Sequence, residues 1–314
     1  MAKIYLNRKS VKGPYGGGNK TLTLLEQEII NQGHELVHHL EKGIDVIFCY
    51  DPRPNSSGDW YQSFINYKND NHKCKIVQRV GDVGTHSKPQ LTALLKQIVG
   101  LKTTDFFIFP SSWSRQIIEH CDSNYKIIPN RPLEQFYENR SQNYPKNNGV
   151  IKIVTHHWSD NRKKGFEIYQ RLGEKIKKGL AINGKKVKFT YVGRYSSEYN
   201  KSGIEVIKPV GVATLNTILP EHDFYLTASE EEAGANHVLE AMAAGLPVLY
   251  RKNGGSINEY CKSYGTEYNE IEDLIGKIRD LDSNSAAEKK KVLKYSGTAH
   301  DTIKEYMEIL EGVL

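Results

Sequence analysis

The chain has 314 residues, of which 38% are hydrophobic and 25% are charged, and its formal net charge is +6. This composition excludes a disordered chain, and the length favours two domains of roughly 100–200 residues each. The mild positive charge is compatible with an anionic small substrate, an acidic lipid surface or nucleic acid, and does not choose among them.

Short apolar runs alternate with helical patterns along the first half of the chain. The first predicted strand is 3–6, and a glycine-rich loop, 13–18, follows it. Apolar residues then recur at helical spacing at Leu22, Leu25, Ile29 and Ile30, before Gly33. Further predicted strands are 44–49, 75–80, 105–109 and 125–128. Strands that alternate with helices predict a parallel sheet with helices on both faces.

The same alternation restarts after the polar stretch 139–149, which we interpret as a linker. The predicted strands of this half are 150–154, 187–192, 204–207, 223–226 and 247–250, and 165–176 is a predicted helix. In the last segment, one helical face carries Ile303, Tyr306, Met307, Leu310 and Val313. We therefore predict two α/β domains, 1–145 and 146–296, and a terminal helix, 297–314, that packs toward the first domain.

The most informative segment runs from Glu230 to Val248 and follows a predicted strand. We interpret Asn236 as the N-cap of a helix, so that Glu232 precedes the helix and Glu240 lies about one turn inside it. Both carboxylates can then face a ligand at the helix N-terminus, which favours phosphate. Carboxylates also accept hydrogen bonds from sugar and ribose hydroxyls. For an isolated pair at this spacing, the alternative is that the acidic residues merely stabilise the helix.

This segment resembles the E-x7-E signature of the retaining glycosyltransferases of family 4, and the match continues through 239–248 and 253–259. The resemblance implies the GT-B fold, in which two Rossmann-like doubly wound domains of parallel sheet face a cleft. It also implies roles for Glu232 on the donor sugar, Glu240 on the nucleotide ribose, and the backbone of Gly234, Ala235 and Asn236 on the sugar and phosphate. The family usually has Phe-Gly after the first glutamate, where this chain has Ala233 and Gly234.

A cationic loop, 155–166, follows the first strand of the second half. Lys and Arg there can hold a diphosphate, although a solvated basic turn is the alternative. The loop resembles the family's Arg-x4-Lys-Gly motif with Lys164 at the lysine position, whereas Ser159 occupies the arginine position. Arg162 and Arg194 are the candidates to supply that charge. The adjacent histidines 156 and 157 point to opposite faces of a strand and make a poor metal site.

Two segments of the first half carry weaker patterns. The glycine loop is not a G-x-G-x-x-G motif, but Gly17 and Gly18 in a tight turn would let backbone approach a ligand, as a similar loop does in family 4. Asp82 and His86 lie where the family has residues that reach the donor sugar and acceptor. The alternatives are a structural turn and a surface loop. We interpret the D-x-D sequence at 280–282 as a helix terminus, not a metal site.

The resemblance implies a hexosyltransferase that moves a sugar from a UDP- or GDP-linked donor to a glycan, a lipid-linked acceptor or another hydroxyl with retained anomeric configuration. It implies no metal and no cofactor, and catalytic roles for Glu232, Lys164, Asp82 and His86. A sugar-nucleotide epimerase, a nucleic-acid-modifying or nucleic-acid-binding protein and a non-catalytic nucleotide-sugar binder are the alternatives. A nucleic-acid partner is not expected, because basic stripes with interleaved aromatic residues are not evident.

The cellular setting is predicted from three sequence features. The first 18 residues have no apolar stretch of signal-peptide length, and the longest apolar runs are strand-sized. The four cysteines are far apart and form no C-x-x-C pair, which disfavours a zinc site or a disulfide framework. We expect a cytoplasmic protein, and peripheral contact with the cytoplasmic face of a membrane is compatible with the Lys and aromatic residues of the first domain.

Overall fold

The computed structural model of the chain describes residues 1–11, 17–140 and 149–314. Its internal contacts divide it into two compact units, Met1–Asn130 together with Ala299–Leu314, and Arg131–Thr298. The division comes at Asn130, ahead of the stretch interpreted as a linker. Most of that stretch, 141–148, lies outside the described residues, as does Gly16 of the glycine loop.

The first unit is built on a parallel sheet. Its described strands are β1 (Lys3–Leu6), β2 (Glu35–Val37), β3 (Val46–Cys49), β4 (Lys75–Arg79), β5 (Phe106–Phe109) and β6 (Tyr125–Ile127). They lie in the order β2-β1-β3-β4-β5-β6, and every pair of neighbours is parallel. The connecting helices are α1 (Gly17–Asn31), α2 (Tyr61–Asp70), α3 (Pro89–Leu101) and α4 (Ser112–Ile117).

The second unit repeats this plan. Its described strands are β7 (Val150–His157), β8 (Ala181–Ile182), β9 (Lys185–Gly193), β10 (Glu205–Ile207), β11 (Phe224–Thr227), β12 (Val248–Arg251) and β13 (Gly265–Tyr268). The parallel order is β10-β9-β7-β11-β12-β13, and β8 pairs antiparallel with β9. The helices are α5 (Gln135–Glu138), α6 (Phe166–Lys177), α7 (Val212–Ile218), α8 (Asn236–Ala243), α9 (Ser256–Cys261), α10 (Ile271–Ser283) and α11 (Ser285–Val292). The predicted architecture of two parallel-sheet α/β domains is confirmed.

The last helix, α12 (Ala299–Val313), belongs to the first unit. Its predicted apolar face is buried against α1 and the sheet through Ile303, Tyr306, Met307 and Leu310. Burying each side chain of this size contributes roughly 1.5–3 kcal/mol. The Tyr306 hydroxyl also lies 3.0 Å from Nε of Arg79, at the carboxyl end of β4.

The sheet of the second unit has a hydrophobic cluster on each face, because successive strand residues point to opposite sides. Ile153 and Phe224 pack in the cluster that contains α6 and α10, whereas Val154 and Tyr225 pack in the cluster that contains α8 and α9. Both α6 and α8 follow strands whose carboxyl ends lie at one edge of the sheet. Ligands of open α/β sheets bind at that edge.

The D-x-D sequence at the end of α10 lies in a helix terminus, as interpreted. Asp282 Oδ1 is 2.8 Å from Nζ of Lys185, and its Oδ2 accepts a hydrogen bond from Asn183 at 2.9 Å. These contacts tie α10 to the β8–β9 hairpin. In the described part of the chain, helices long and apolar enough to cross a membrane are absent.

Candidate functional site

The connection from β11 to α8 contains three consecutive glutamates, residues 230–232, which we call the acidic loop. The Glu232 amide donates to the carbonyl of Gly254 at 3.1 Å, and its own carbonyl accepts from the Ser256 amide at 2.8 Å. Gly255, which lies between Gly254 and Ser256, has a φ of +69°. A Cβ on this residue would lie 2.6 Å from the Glu232 carbonyl oxygen. Glycine is therefore required for the turn after β12 to bind the acidic loop.

The turn Arg162–Lys164, which follows β7, contacts the acidic loop from the other side. Its two lysines pair with consecutive glutamates, Lys163 with Glu231 and Lys164 with Glu232, and the second pair has Nζ and Oε1 2.5 Å apart. The side chains of Lys164 and Glu232 are each 13% exposed, against 31% for Lys163 and 38% for Glu231. The structure thus brings together two predicted catalytic residues, in the more buried of two parallel ion pairs.

The amino end of α8 lies directly after the acidic loop. Ala235 is the N-cap, with extended backbone at φ −78° and ψ 95°, so the prediction that Asn236 caps the helix is wrong by one residue. The Ala235 side chain is a methyl group, so the N-cap residue makes no side-chain hydrogen bond to the first turn of α8. The Ala235 amide itself donates to Ser256 Oγ at 3.1 Å. The helix therefore presents first-turn N–H groups that have no intrahelical acceptor.

Glu240, one turn inside α8, is 7% exposed and contacts a histidine that the sequence analysis did not assign to the site. Nε2 of His156 lies 2.8 Å from Glu240 Oε2, and the His156 amide donates to the Tyr225 hydroxyl at 3.1 Å. The next residue, His157, lies 2.8 Å from the Tyr169 hydroxyl on α6. The adjacent histidines thus diverge to opposite faces, as strand geometry predicts. The pairing with Glu240 joins residues 84 positions apart, and sequence spacing does not reveal it.

The two cations proposed to replace the arginine missing at Ser159 have different environments. The guanidinium of Arg194 lies over the ring of Trp158, with Cζ 4.6 Å from the ring centroid. Arg162 is exposed in the turn after β7. The Ser159 hydroxyl accepts a hydrogen bond from the Asn161 amide at 3.1 Å and so shapes the start of that turn. Of the two arginines, Arg194 is the one stacked on the residue next to Ser159.

The candidates of the first unit lie near the carboxyl ends of its strands. Asp82 accepts from the Gly84 amide at 2.9 Å and pairs with Lys88 at 3.0 Å, and His86 belongs to the same loop. The Asp82 and Lys88 side chains are each 42% exposed, as in an ordinary surface loop. Gly17 and Gly18 are the first residues of α1, and the Gly18 carbonyl accepts from the Tyr50 hydroxyl at 2.6 Å.

A second histidine behind the site, His237, lies in the first turn of α8 and is 8% exposed. Its Nε2 is 3.0 Å from the Thr227 hydroxyl, and its ring centroid is 4.8 Å from that of His157. Burial lowers the pKa of His237 to about 3. The imidazole is therefore neutral at physiological pH, so this buried side chain in the first turn of α8 carries no charge.

This buried histidine should make the protein sensitive to acid. His237 has a pKa of about 3 in the folded state and near 6.5 when unfolded, so its contribution is complete above pH 6.5 and is lost as the pH falls toward 3. Between pH 7.5 and 5, the wild type should lose about 2 kcal/mol more of its unfolding free energy than His237→Gln. Urea unfolding of both proteins at the two pH values measures this difference, and parallel losses would contradict it.

The chain is similar to known proteins in part of its sequence and in its fold. Residues 153–284 match the sequence model of a family described as Glycosyl transferases group 1. Among solved structures, Anabaena HepE in complex with UDP is similar with a TM-score of 0.69 and 15% identity, over 99% of this chain and 100% of that one. Sucrose-phosphate synthase from Thermosynechococcus elongatus is similar with a TM-score of 0.68 and 11% identity, over 100% of this chain and 99% of that one. WaaG, a glycosyltransferase involved in lipopolysaccharide biosynthesis, is similar with a TM-score of 0.65 and 14% identity, over 98% of this chain and 99% of that one.

The chain therefore has the GT-B fold. The family match lies entirely within the second unit and includes the turn after β7, the acidic loop and α8. Curated protein sequences gave no significant match.

Proposed function

We propose that the chain is a retaining hexosyltransferase that moves a sugar from a UDP- or GDP-linked donor to a hydroxyl of a glycan or lipid-linked acceptor, without a metal ion. The observation that carries this proposal is that Lys164 pairs with Glu232 just before α8, while Glu240 lies one turn inside the same helix, whose N-cap side chain makes no hydrogen bond. A cation, helix N–H groups and two carboxylates are the groups needed to bind a diphosphate between two sets of hydroxyls.

Each group receives one part of the donor. The first-turn amides of α8 and the Lys164 ammonium bind the diphosphate, Glu240 accepts hydrogen bonds from the ribose, and Glu232 accepts hydrogen bonds from the sugar. Lys164 and Glu232 form an ion pair with Nζ and Oε1 2.5 Å apart. When the donor binds, its diphosphate replaces Glu232 as the partner of Lys164, and its sugar hydroxyls replace Lys164 as the partners of Glu232. The structural neighbour HepE has been solved with UDP and with UDP and glucose, which supports a nucleotide-sugar donor.

Transfer breaks the bond between the anomeric carbon and the diphosphate oxygen and forms a bond from that carbon to the acceptor oxygen on the same face. The leaving phosphate takes the acceptor proton, so a protein nucleophile is not needed. Lys164 and the α8 amides stabilise the negative charge that grows on the diphosphate as it departs. We assign acceptor binding to the first unit, where Asp82 and His86 remain candidates. A cytoplasmic location and peripheral membrane contact remain predictions.

A thermal-shift panel of UDP- and GDP-linked sugars tests the donor class. A ligand at about 100 times its Kd adds roughly 2.7 kcal/mol to stability, which is readily measured. NMR of the product then separates transfer with retention from epimerisation, since an epimerase changes the donor without an acceptor. Full activity in EDTA is expected for a metal-independent enzyme. If sugar nucleotides give no shift and no turnover, the proposal is wrong.

Glu240→Gln should weaken binding of the preferred nucleoside diphosphate by roughly 10- to 100-fold, because a neutral amide replaces the charged acceptor of the ribose hydroxyls. Isothermal titration measures the Kd. Glu231→Gln is the matched control, since that side chain pairs with Lys163 and is given no contact with the ribose. Equal Kd values for the wild type and Glu240→Gln would remove Glu240 from the binding site.

A further inference from the structure

We propose that His156 is a positioning residue for the donor site: it orients the Glu240 carboxylate so that this group recognises the ribose hydroxyls. The inference rests on the proposed function and adds a residue to which neither the family resemblance nor the comparisons assign a role. Three elements of the second unit contribute to it, because His156 is the penultimate residue of β7, Tyr225 lies on β11 and Glu240 lies on α8.

The hydrogen bonds around the imidazole fix its orientation. The Tyr225 hydroxyl accepts from the His156 amide at 3.1 Å, and it lies 3.1 Å from Nδ1 and 3.3 Å from the carbonyl oxygen of the same residue. Burial raises the pKa of Tyr225 well above its ordinary value, so the phenol keeps its proton and can donate it to Nδ1 or to the carbonyl oxygen of His156. An ionised carboxylate only accepts hydrogen bonds, so Nε2, the ring nitrogen that faces Glu240, carries a proton. That N–H points at Glu240 Oε2, 2.8 Å away.

The bond between His156 and Glu240 is made away from solvent. Tyr225 is fully buried, Glu240 is 7% exposed and His156 is 9% exposed. A charge-assisted hydrogen bond in such surroundings is stronger than one in water and restricts the carboxylate to one orientation. A carboxylate has about four acceptor sites, so a bond to the imidazole is compatible with bonds from ribose hydroxyls. Partners that orient a binding group in this way commonly affect ligand affinity by 10- to 100-fold in metal sites.

The test measures discrimination between ribose and deoxyribose, which a purely structural role for His156 would not change. Kd values are measured by isothermal titration for UDP and GDP and for their 2′-deoxy and 3′-deoxy forms. For the base that binds, the wild type should prefer the ribose form, and His156→Phe should reduce that preference about 10-fold. His156→Gln, which keeps a donor at the position of the ring nitrogen, should restore most of it.

A double-mutant cycle assigns the effect to Glu240. In the Glu240→Gln background, His156→Phe should change the preference no further, because the two substitutions remove one interaction. Tyr225→Phe, which deletes only a hydroxyl, should lower the preference in the same direction and provides the test if His156→Phe does not fold. An unchanged preference in the folded variants overturns this inference alone. Failure of the wild type to bind either nucleotide overturns the proposed function and this inference with it.

Discussion

Lys164→Ala should lower kcat for donor turnover by roughly 100- to 1000-fold, the cost of removing one preorganised group that stabilises developing charge. The lysine pairs with Glu232 of the acidic loop, just before α8, and its side chain is only 13% exposed. Its loss also leaves the Glu232 carboxylate without this ion pair, so that the carboxylate repels the departing diphosphate. Steady-state release of the nucleoside diphosphate from the preferred donor measures the effect.

The neighbouring lysine provides a matched control. Lys163 pairs with Glu231 as Lys164 pairs with Glu232, but its side chain is more exposed, at 31%. Exposed pairs contribute little, so Lys163→Ala should change kcat by less than about threefold. Lys164→Arg keeps the charge and should retain more activity than Lys164→Ala. Equal effects of alanine at 163 and 164 would show that the chain needs general positive charge there, not a positioned lysine.

Gly165→Ala should lower the free energy of unfolding by about 2–4 kcal/mol and weaken nucleotide binding at the same time. Gly165 has a φ of +80°, and a Cβ there would lie 2.2 Å from the carbonyl oxygen of Ala228, at the end of β11. An alanine must therefore push the turn that carries Lys164 away from the acidic loop. Urea unfolding and nucleotide titration measure the two effects.

Gly179→Ala is the control for Gly165→Ala, because it introduces the same kind of backbone strain without a close contact like the one with Ala228. Gly179 has a φ of +90°, but among the described residues nothing lies within 4 Å of a Cβ placed there. This variant should lose only the roughly 1–2 kcal/mol that a left-handed conformation costs an L-residue, and it should bind nucleotide normally. If Gly165→Ala behaves like Gly179→Ala in both measurements, the close approach to Ala228 is not important.

The order of elements could be predicted because most strands are short, apolar and bounded by turns. The strands missed by the prediction lie at sheet edges. β2 has three residues, of which Glu35 is exposed, and β13 contains an exposed Glu267, so neither has a continuous apolar pattern. The β8–β9 hairpin did have a sequence signal that the prediction did not use. Its turn is Asn183-Gly184, with both residues at positive φ, which is a common hairpin connection.

The site was predictable where its residues lie in one segment. The spacing of Glu232 and Glu240 placed both carboxylates near the start of one helix, and Lys164 followed a strand that ends at the same sheet edge. The contacts of His156 and Tyr225 with each other and with Glu240 were not predictable. They depend on the register of β7 with β11 and on the packing of α8, which join positions far apart in sequence.

A crystal structure of the protein with its preferred nucleotide sugar would test the central claim most directly. We expect the diphosphate within hydrogen-bond distance of Lys164 Nζ and the first-turn amides of α8, the ribose on Glu240 and the sugar on Glu232. A donor bound elsewhere, with Lys164 still paired to Glu232 and both glutamates making no contact with it, would contradict the account.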